Sequence, residues 1–192
     1  MTALLELPAV RERVQPVSVD LYHRLGEAGE LSKNVELLRG IIVRKMSKSP
    51  LHEVVCQKLM LLLMARVPAG FQVRREGPLT LRDSEPEPDL SVIRGDPDDW
   101  AAAHPTTAQL VVEVAVTSGA VDEGKADIYA EAGVPEFWLV RPASGTVDVY
   151  RNPTSAGYLS KHTVSADGLV RCQSIPGLEV PVEAILPARS SR

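Results

Sequence analysis

The residue that most clearly indicates chemistry is Glu113, a carboxylate inside the apolar run of residues 110–116 (LVVEVAV). Apolar β-forming residues on both sides predict a strand whose two faces are covered. A charged group there is costly unless a cation, a metal ion or hydrogen bonds compensate it. We therefore expect another segment to supply a partner for Glu113.

Asp89 is the second candidate, at the start of a strand predicted over residues 90–93. Along a strand, Asp89 shares a face with Ser91, and Glu113 shares a face with Val111 and Ala115. If the two strands are neighbours, their carboxylates can reach one metal ion. Mg²⁺ prefers such oxygen ligands and, once bound, lowers the pKa of a coordinated water.

Lys125 is the third candidate, on a helix predicted over residues 121–132. It falls at helical spacing with Val121, Ile128 and Ala132, so it lies on the stripe expected to pack inward. An inward ammonium needs a counter-charge, which Glu113 could supply, and it could orient a water or stabilise charge on a phosphate. The alternative is a lysine that extends past the apolar stripe to solvent.

The bulk properties favour one globular domain. The chain has 192 residues with 44% apolar and 24% charged residues, which is enough to bury a core. We predict an N-terminal arm at residues 1–17, a single domain at residues 18–187 and a tail at residues 188–192. The net charge of −4 does not favour general nucleic-acid binding, so a DNA-binding site would need a local basic patch.

The cysteines and the apolar runs bear on the compartment. Cys56 and Cys172 fit no metal-ligand spacing, and we predict free thiols in a reducing cytoplasm. We see no signal-peptide pattern, and the longest apolar stretch, residues 59–65, is too short to cross a bilayer. We therefore expect a cytoplasmic protein without membrane contact.

The order of elements predicts a mixed α/β (α+β) fold, with a central sheet flanked by helices. An N-terminal hairpin and several C-terminal strands would extend or flank that sheet. Serines precede two of the helices as caps, at Ser18 and Ser49. The predicted strands cover residues 35–38, 41–43, 71–75, 79–81, 90–93, 110–116, 136–140, 146–150, 158–164, 169–172 and 178–182.

The succession of Pro88-Asp89, then Glu113, then Lys125 resembles the PD-(D/E)XK phosphodiesterase pattern. More closely, the chain resembles the Uma-two family of restriction-endonuclease-like proteins, over nearly all of residues 18–187. Each motif alone is weak, but their order and spacing together are fairly specific. The matching stretches are residues 35–40 (VELLRG), 49–52 (SPLH), 84–90 (SEPEPDL), 110–114 (LVVEV), 122–129 (DEGKADIY) and 133–138 (GVPEFW).

The resemblance implies a restriction-endonuclease-like fold with a magnesium-dependent site, at which Mn²⁺ could substitute. Asp89 and Glu113 match the metal-binding acids. Ala115 stands where the pattern expects a lysine, and Lys125 matches a lysine relocated to the following helix. Glu36, in the hairpin, matches an additional acid that could bind a second ion or a water; the alternative is an exposed strand glutamate.

Other residues are candidates for contact with substrate. His52 falls in the first turn of a helix and could touch substrate, although such a histidine is more often a surface or packing residue. We predict that Glu85 and Glu87 are exposed to solvent and form an acidic lip. Candidates for DNA phosphates, with a solvated charged face as the alternative, are Arg44, Lys45, Lys48, Arg74, Arg75 and Arg82.

The predicted function is therefore a magnesium-dependent endonuclease acting on DNA. A homodimer is expected, because cutting both strands requires two active sites. The alternative is a non-catalytic module that oligomerises or binds nucleic acid on the same fold. A glycosidase with paired carboxylates is less favoured, because the chain has few aromatic residues (4%).

Overall fold

The computed structural model describes residues 8–11, 13–116 and 119–188. It begins with a short helix α1 (Pro8–Arg11) and a longer helix α2 (Val19–Glu27). The Ser18 hydroxyl accepts a hydrogen bond from the Leu21 amide at 3.2 Å and so caps α2, as predicted.

A hairpin of two strands follows, β1 (Val35–Leu38) and β2 (Ile41–Arg44). Arg39 and Gly40 form its turn with φ angles of 49° and 73°, the left-handed conformations that tight two-residue turns require. Helix α3 (Pro50–Met64) comes next, capped by Ser49 with proline at its start.

Among the described residues, the central sheet contains six strands, which lie in the order in which they occur in the chain. Neighbouring strands are antiparallel except for β5 (Leu110–Val114) and β6 (Glu136–Arg141), which are parallel. Helix α4 (Gly119–Glu131) connects these two, as a parallel pair requires. The strands are β3 (Phe71–Arg75), β4 (Leu90–Arg94), β5 (Leu110–Val114), β6 (Glu136–Arg141), β7 (Thr146–Thr154) and β8 (Gly157–Val164).

Four smaller elements complete the described part of the fold. A 3₁₀ helix, Pro97–Trp100, lies between β4 and β5. Strands β9 (Leu169–Arg171) and β10 (Glu179–Pro181) form a separate antiparallel pair, followed by the short helix α5 (Val182–Ile185).

Side chains alternate between the two faces of the sheet, so the interior consists of two hydrophobic layers, one on each face. Residues such as Val112 and Trp138 pack in a core with α3, whereas Val111 and Phe137 pack on the opposite face with Tyr129 of α4. A mixed sheet with a helix on each face is confirmed.

The predicted strand over residues 79–81 is wrong. Leu79 and Leu81 donate their amides to the carbonyls of Pro86 and Ser84, at 3.0 and 2.9 Å, within a local loop. Pro86 and Pro88 have no N–H to donate, so the facing segment cannot complete a β-ladder. Among the described residues, no helix combines the length and the apolar character needed to cross a membrane.

Candidate active site

Asp89 and Glu113 lie side by side because β4 and β5 are neighbours in the sheet. The register pairs Leu90 with Val112, which places Asp89 opposite Glu113 when it is continued by one residue. The Asp89 amide donates to Glu113 Oε2 at 3.3 Å, and the Val114 amide donates to Asp89 Oδ2 at 2.8 Å. Backbone amides therefore hold the two carboxylates next to each other, at the same end of the β4–β5 pair.

Lys125 points inward from α4 and is only 5% exposed. Its Nζ lies 3.2 Å from Glu113 Oε1 and 2.9 Å from Glu36 Oε1. Tyr129, one turn further along, donates its hydroxyl to the same Glu113 oxygen at 2.8 Å. The lysine does not extend to solvent, and it bridges acids from the sheet and from the hairpin.

Glu36 is buried and is not an exposed strand glutamate. Its Oε2 accepts from the Glu87 amide at 3.2 Å, while Oε1 contacts Lys125. The β1–β2 hairpin, linked to the chain before β4 by an isolated bridge between Leu37 and Glu85, carries this acid to the centre.

Asp89 has two cationic or polar partners besides the backbone. Lys48 Nζ lies 3.2 Å from its Oδ1 and 2.9 Å from Glu76. His52 Nε2 lies 3.0 Å from its Oδ2. The Ser49 cap of α3 accepts from the His52 amide, so the start of this helix sets the position of the imidazole.

The surroundings drive the pKa values of the two acids apart. Burial, with the negative charges of Asp89, Asp122 and Glu36, raises the pKa of Glu113 to about 8 despite Lys125. Burial also acts to raise the pKa of Asp89, but His52, the Val114 amide and Lys48 outweigh it and bring this pKa to about 2. Burial opposes the charge of Lys125, yet the neighbouring carboxylates raise its pKa. Such divergent pKa values are typical of functional sites.

These groups line a cavity of about 170 Å³. A cavity of this size holds several water molecules, so an ion with its hydration would fit. The cavity is lined by Glu36, Val43, Arg44, Lys45, Met46, Ser47, Lys48, Ser49, His52, Glu76, Glu87, Asp89, Glu113, Val114, Val116, Val121, Asp122 and Lys125.

The chemistry of these donors fits a hard divalent cation. Asp89 and Glu113 offer carboxylate oxygens, which such ions prefer. His52, Cys56 and Asp89 also bring one potential ligand atom each to within 4.8 Å of one another. Burial raises the pKa of the Cys56 thiol well above its ordinary value, and the neutral thiol is a poor metal ligand. The two carboxylates are therefore the better pair.

Arg74 and Arg75, predicted to contact substrate, lie on the edge strand β3 and are not among the residues that line this cavity. Arg74 donates to the Pro78 carbonyl at 3.0 Å, and Arg75 forms an ion pair with Glu53. The structure brings His52 to the centre, whereas neither arginine lines the cavity. For all three, a role in binding substrate stays a prediction.

The predicted acidic lip is wrong for Glu85, which is buried and pairs with His23 at 2.9 Å. Glu87 is partly buried and forms an ion pair with Lys45. The bridge between Leu37 and Glu85 draws this segment under the hairpin, and the sequence alone gave no sign of that pairing.

Sequence reasoning missed Tyr129 and the contacts of Lys48 and His52 with Asp89. Tyr129 had a usable signal, since it lies four residues after Lys125 and so shares its face of the helix. Lys48 had none, because its segment is irregular and only the folded chain places it next to Asp89.

Comparison with known proteins agrees with this architecture. Residues 19–183 match the model of the Uma2 family, whose description is "Putative restriction endonuclease". The chain belongs to this family. The resemblance to the Uma-two family is thereby confirmed, and Uma2 membership with the observed fold supports a nuclease.

One solved structure similar to this Uma2 protein is that of a "putative nuclease" from Anabaena variabilis ATCC 29413. The two share 17% sequence identity with a TM-score of 0.72, over 88% of this chain and 97% of the other. At this identity the likeness shows the fold alone. No curated protein matches the chain.

Proposed function

We propose that this Uma2 protein is a magnesium-dependent endonuclease that hydrolyses DNA phosphodiester bonds. The observation that carries the proposal is the placement of Asp89, immediately before β4, next to Glu113 of the adjacent strand β5, at a cavity that Lys125 also lines. Asp89 and Glu113 would hold the ion, and Mn²⁺ could replace Mg²⁺ because both accept oxygen ligands.

Bound there, a divalent ion would supply Lewis-acid polarisation of the phosphate and a more acidic water. Lys125 would stabilise negative charge that develops on the phosphate, because its ammonium is held in the cavity by Glu36 and Glu113. Tyr129 would fix the orientation of the Glu113 carboxylate through its hydrogen bond. Glu36 would position Lys125, and a second ion or a water is its alternative partner.

A local basic rim supports DNA as the substrate despite the acidic net charge. Arg44, Lys45 and Lys48 line the cavity, where Lys45 pairs with Glu87 and Lys48 with Asp89. Arg74 and Arg75 lie outside this lining, on β3. Positive groups of this kind bind phosphates, and their contribution falls with rising salt. His52 would orient Asp89 and could also reach a bound phosphate.

A homodimer is part of the proposal, because hydrolysis of both strands requires two centres. A reducing cytoplasm is the proposed compartment, in agreement with the free buried thiols of Cys56 and Cys172.

The test is nicking of supercoiled plasmid in Mg²⁺, in Mn²⁺ and in excess EDTA. Asp89→Asn and Glu113→Gln should each lower the nicking rate by at least about 100-fold, because even residues that only support metal ligands cost up to that much. Lys125→Met should lower it at saturating Mg²⁺. The matched controls are Asp167→Asn and Lys33→Met, at exposed positions that do not line the cavity, and both should retain full activity.

Nicking that persists in EDTA, or that is equal in all variants, would exclude the proposed centre and indicate a contaminating nuclease. Absence of nicking together with Mg²⁺-independent DNA binding would instead favour the non-catalytic module.

A further inference from the structure

A second, larger groove of about 710 Å³ lies next to the candidate active site. Its walls come from α2, from the loop between β3 and β4, and from the 3₁₀ helix with the segment that follows it. The residues that matter here are Tyr22, His23, Glu85, Glu87, Trp100 and His104.

Glu85 is the unusual residue of this groove. It is only 4% exposed. Its Oε1 pairs with His23 Nε2 at 2.9 Å, but among the described residues its buried Oε2 has no hydrogen-bond partner. A buried carboxylate oxygen without a donor is destabilising. Because the last torsion of a glutamate is soft, the carboxylate can turn to offer either oxygen to a donor in the groove.

The charge of the groove disfavours phosphate and favours a ligand that donates hydrogen bonds. Glu27, Glu85 and Glu87 line it, and no lysine or arginine is among the described residues that do so. Tyr22 and Trp100 add aromatic surface, on which a planar ring can stack.

The groove and the candidate active site meet at Glu87, which lines both cavities. Glu85 precedes Asp89 by four residues, and so many residues of chain span at most about 14 Å. Lys45 and Lys48 lie on the active-site side. A nucleotide strand could thus keep its phosphates on the basic rim and place one base in the acidic, aromatic groove.

We propose that this groove is a subsite for an unpaired nucleobase that carries an exocyclic amino group, with Glu85 as the acceptor. A carboxylate accepts a hydrogen bond from N4 of cytosine, and thymine offers no amino group there. Unpaired bases are typically recognised by stacking on aromatic side chains and by hydrogen bonds to their edges. The inference deepens the proposed nuclease function, on which it rests, by naming its substrate as nucleic acid with an unpaired base.

The test is binding of fluorescein-labelled hairpin duplexes that carry one unpaired cytosine, one unpaired thymine or one abasic position. Fluorescence anisotropy is measured with the full chain in EDTA, so that no cleavage occurs. Wild-type protein should bind the cytosine duplex about tenfold more tightly than the thymine duplex, a usual size for a specific base contact. The abasic duplex has no base to stack and should bind more weakly than both. Glu85→Gln should remove most of the preference over thymine, and Glu183→Gln, at an exposed glutamate of α5, should keep it.

A second variant tests the groove independently of Glu85, in case Glu85→Gln fails to fold. Trp100→Leu should weaken binding of both unpaired bases while leaving the abasic duplex unchanged, and urea midpoints report whether each variant is folded. Equal affinity for all three duplexes, no binding of any of them, or a cytosine preference that survives in Glu85→Gln would overturn the subsite.

Two further measurements separate the possible failures. If spermidine binds by calorimetry and loses affinity in Glu85→Gln, the groove is a cation site and the nucleobase assignment is wrong. The plasmid assay in Mg²⁺ decides the nuclease function by itself. Cleavage without base preference would overturn only the subsite, and base preference without cleavage would overturn only the nuclease.

Discussion

Two clusters of buried charge lie at different places in the sheet, and only one of them has the features of a reactive centre. At the start of β6, Glu136 is 1% exposed, and both of its oxygens have partners. Its Oε1 accepts from Trp138 Nε1 at 2.7 Å and from Arg151 at 3.0 Å, and its Oε2 accepts from the Gln173 amide at 2.8 Å. This carboxylate is fully satisfied and joins β6, β7 and the C-terminal segment.

The Asp89–Glu113 cluster differs because it concentrates like charges around an opening. Four buried acids, Glu36, Asp89, Glu113 and Asp122, line the cavity, and the pKa of Glu113 rises to about 8. Glu136 is not among the residues that line it. The comparison teaches that a buried carboxylate alone does not identify a site. Crowded acids beside a cavity do, because the fold maintains a costly arrangement that a bound cation would relieve.

The largest expected effect is on stability, at the satisfied cluster. Glu136→Ala leaves Arg151 with an uncompensated charge in a largely buried position, which typically costs about 3–5 kcal/mol. Urea unfolding should show this loss, whereas nicking activity per folded molecule should stay near the wild-type value. A large loss of activity in a variant of unchanged stability would erase the distinction between the two clusters.

The next effect is a pH dependence that belongs to the Asp89–Glu113 cluster. Because Glu113 has a raised pKa of about 8 in the folded chain, the folded state keeps a proton that the unfolded state has already lost at neutral pH. Stability should therefore fall as pH rises from 6 to 8 and then level off, by about 2 kcal/mol in total. Urea unfolding in EDTA measures this change.

The Glu113→Gln variant has no titrating carboxylate at this position. Its stability should therefore not show the fall between pH 6 and 8 that Glu113 causes in the wild type. An identical pH profile in wild type and Glu113→Gln would mean that Glu113 stays ionised in the folded protein.

The smallest effect compares two tyrosine hydroxyls. Tyr129→Phe removes the donor to Glu113, and Tyr158→Phe removes a donor to the Val134 carbonyl, each at 2.8 Å in the folded chain. Each change should cost about 1 kcal/mol of stability. Only Tyr129→Phe should also lower the nicking rate, by about tenfold, because supporting contacts of metal ligands usually cost at least that much. Equal nicking by both variants would show that Tyr129 has only a structural role.

Much of the fold could be predicted because local signals agreed with one another. Serine caps at Ser18 and Ser49, the Arg39-Gly40 turn and the apolar run around Glu113 each specify their element without help from distant residues. The loop at residues 79–81 could not be predicted. Apolar and polar residues alternate there, which suggests a strand. Prolines in the segment that folds against it, however, prevent a ladder of β-sheet hydrogen bonds.

The candidate site divides in the same way. The sequence determined the types of its acids and lysine. Periodicity also indicated that Glu113 and Lys125 face inward, because a strand repeats every two residues and a helix every 3.6, but it left a solvent-exposed lysine as the alternative. Only the tertiary structure decided that β4 lies beside β5, that the hairpin brings Glu36 to Lys125, and that Lys48 and His52 meet Asp89. Such contacts join residues far apart in the chain, and their geometry depends on strand order and packing, which no local pattern encodes.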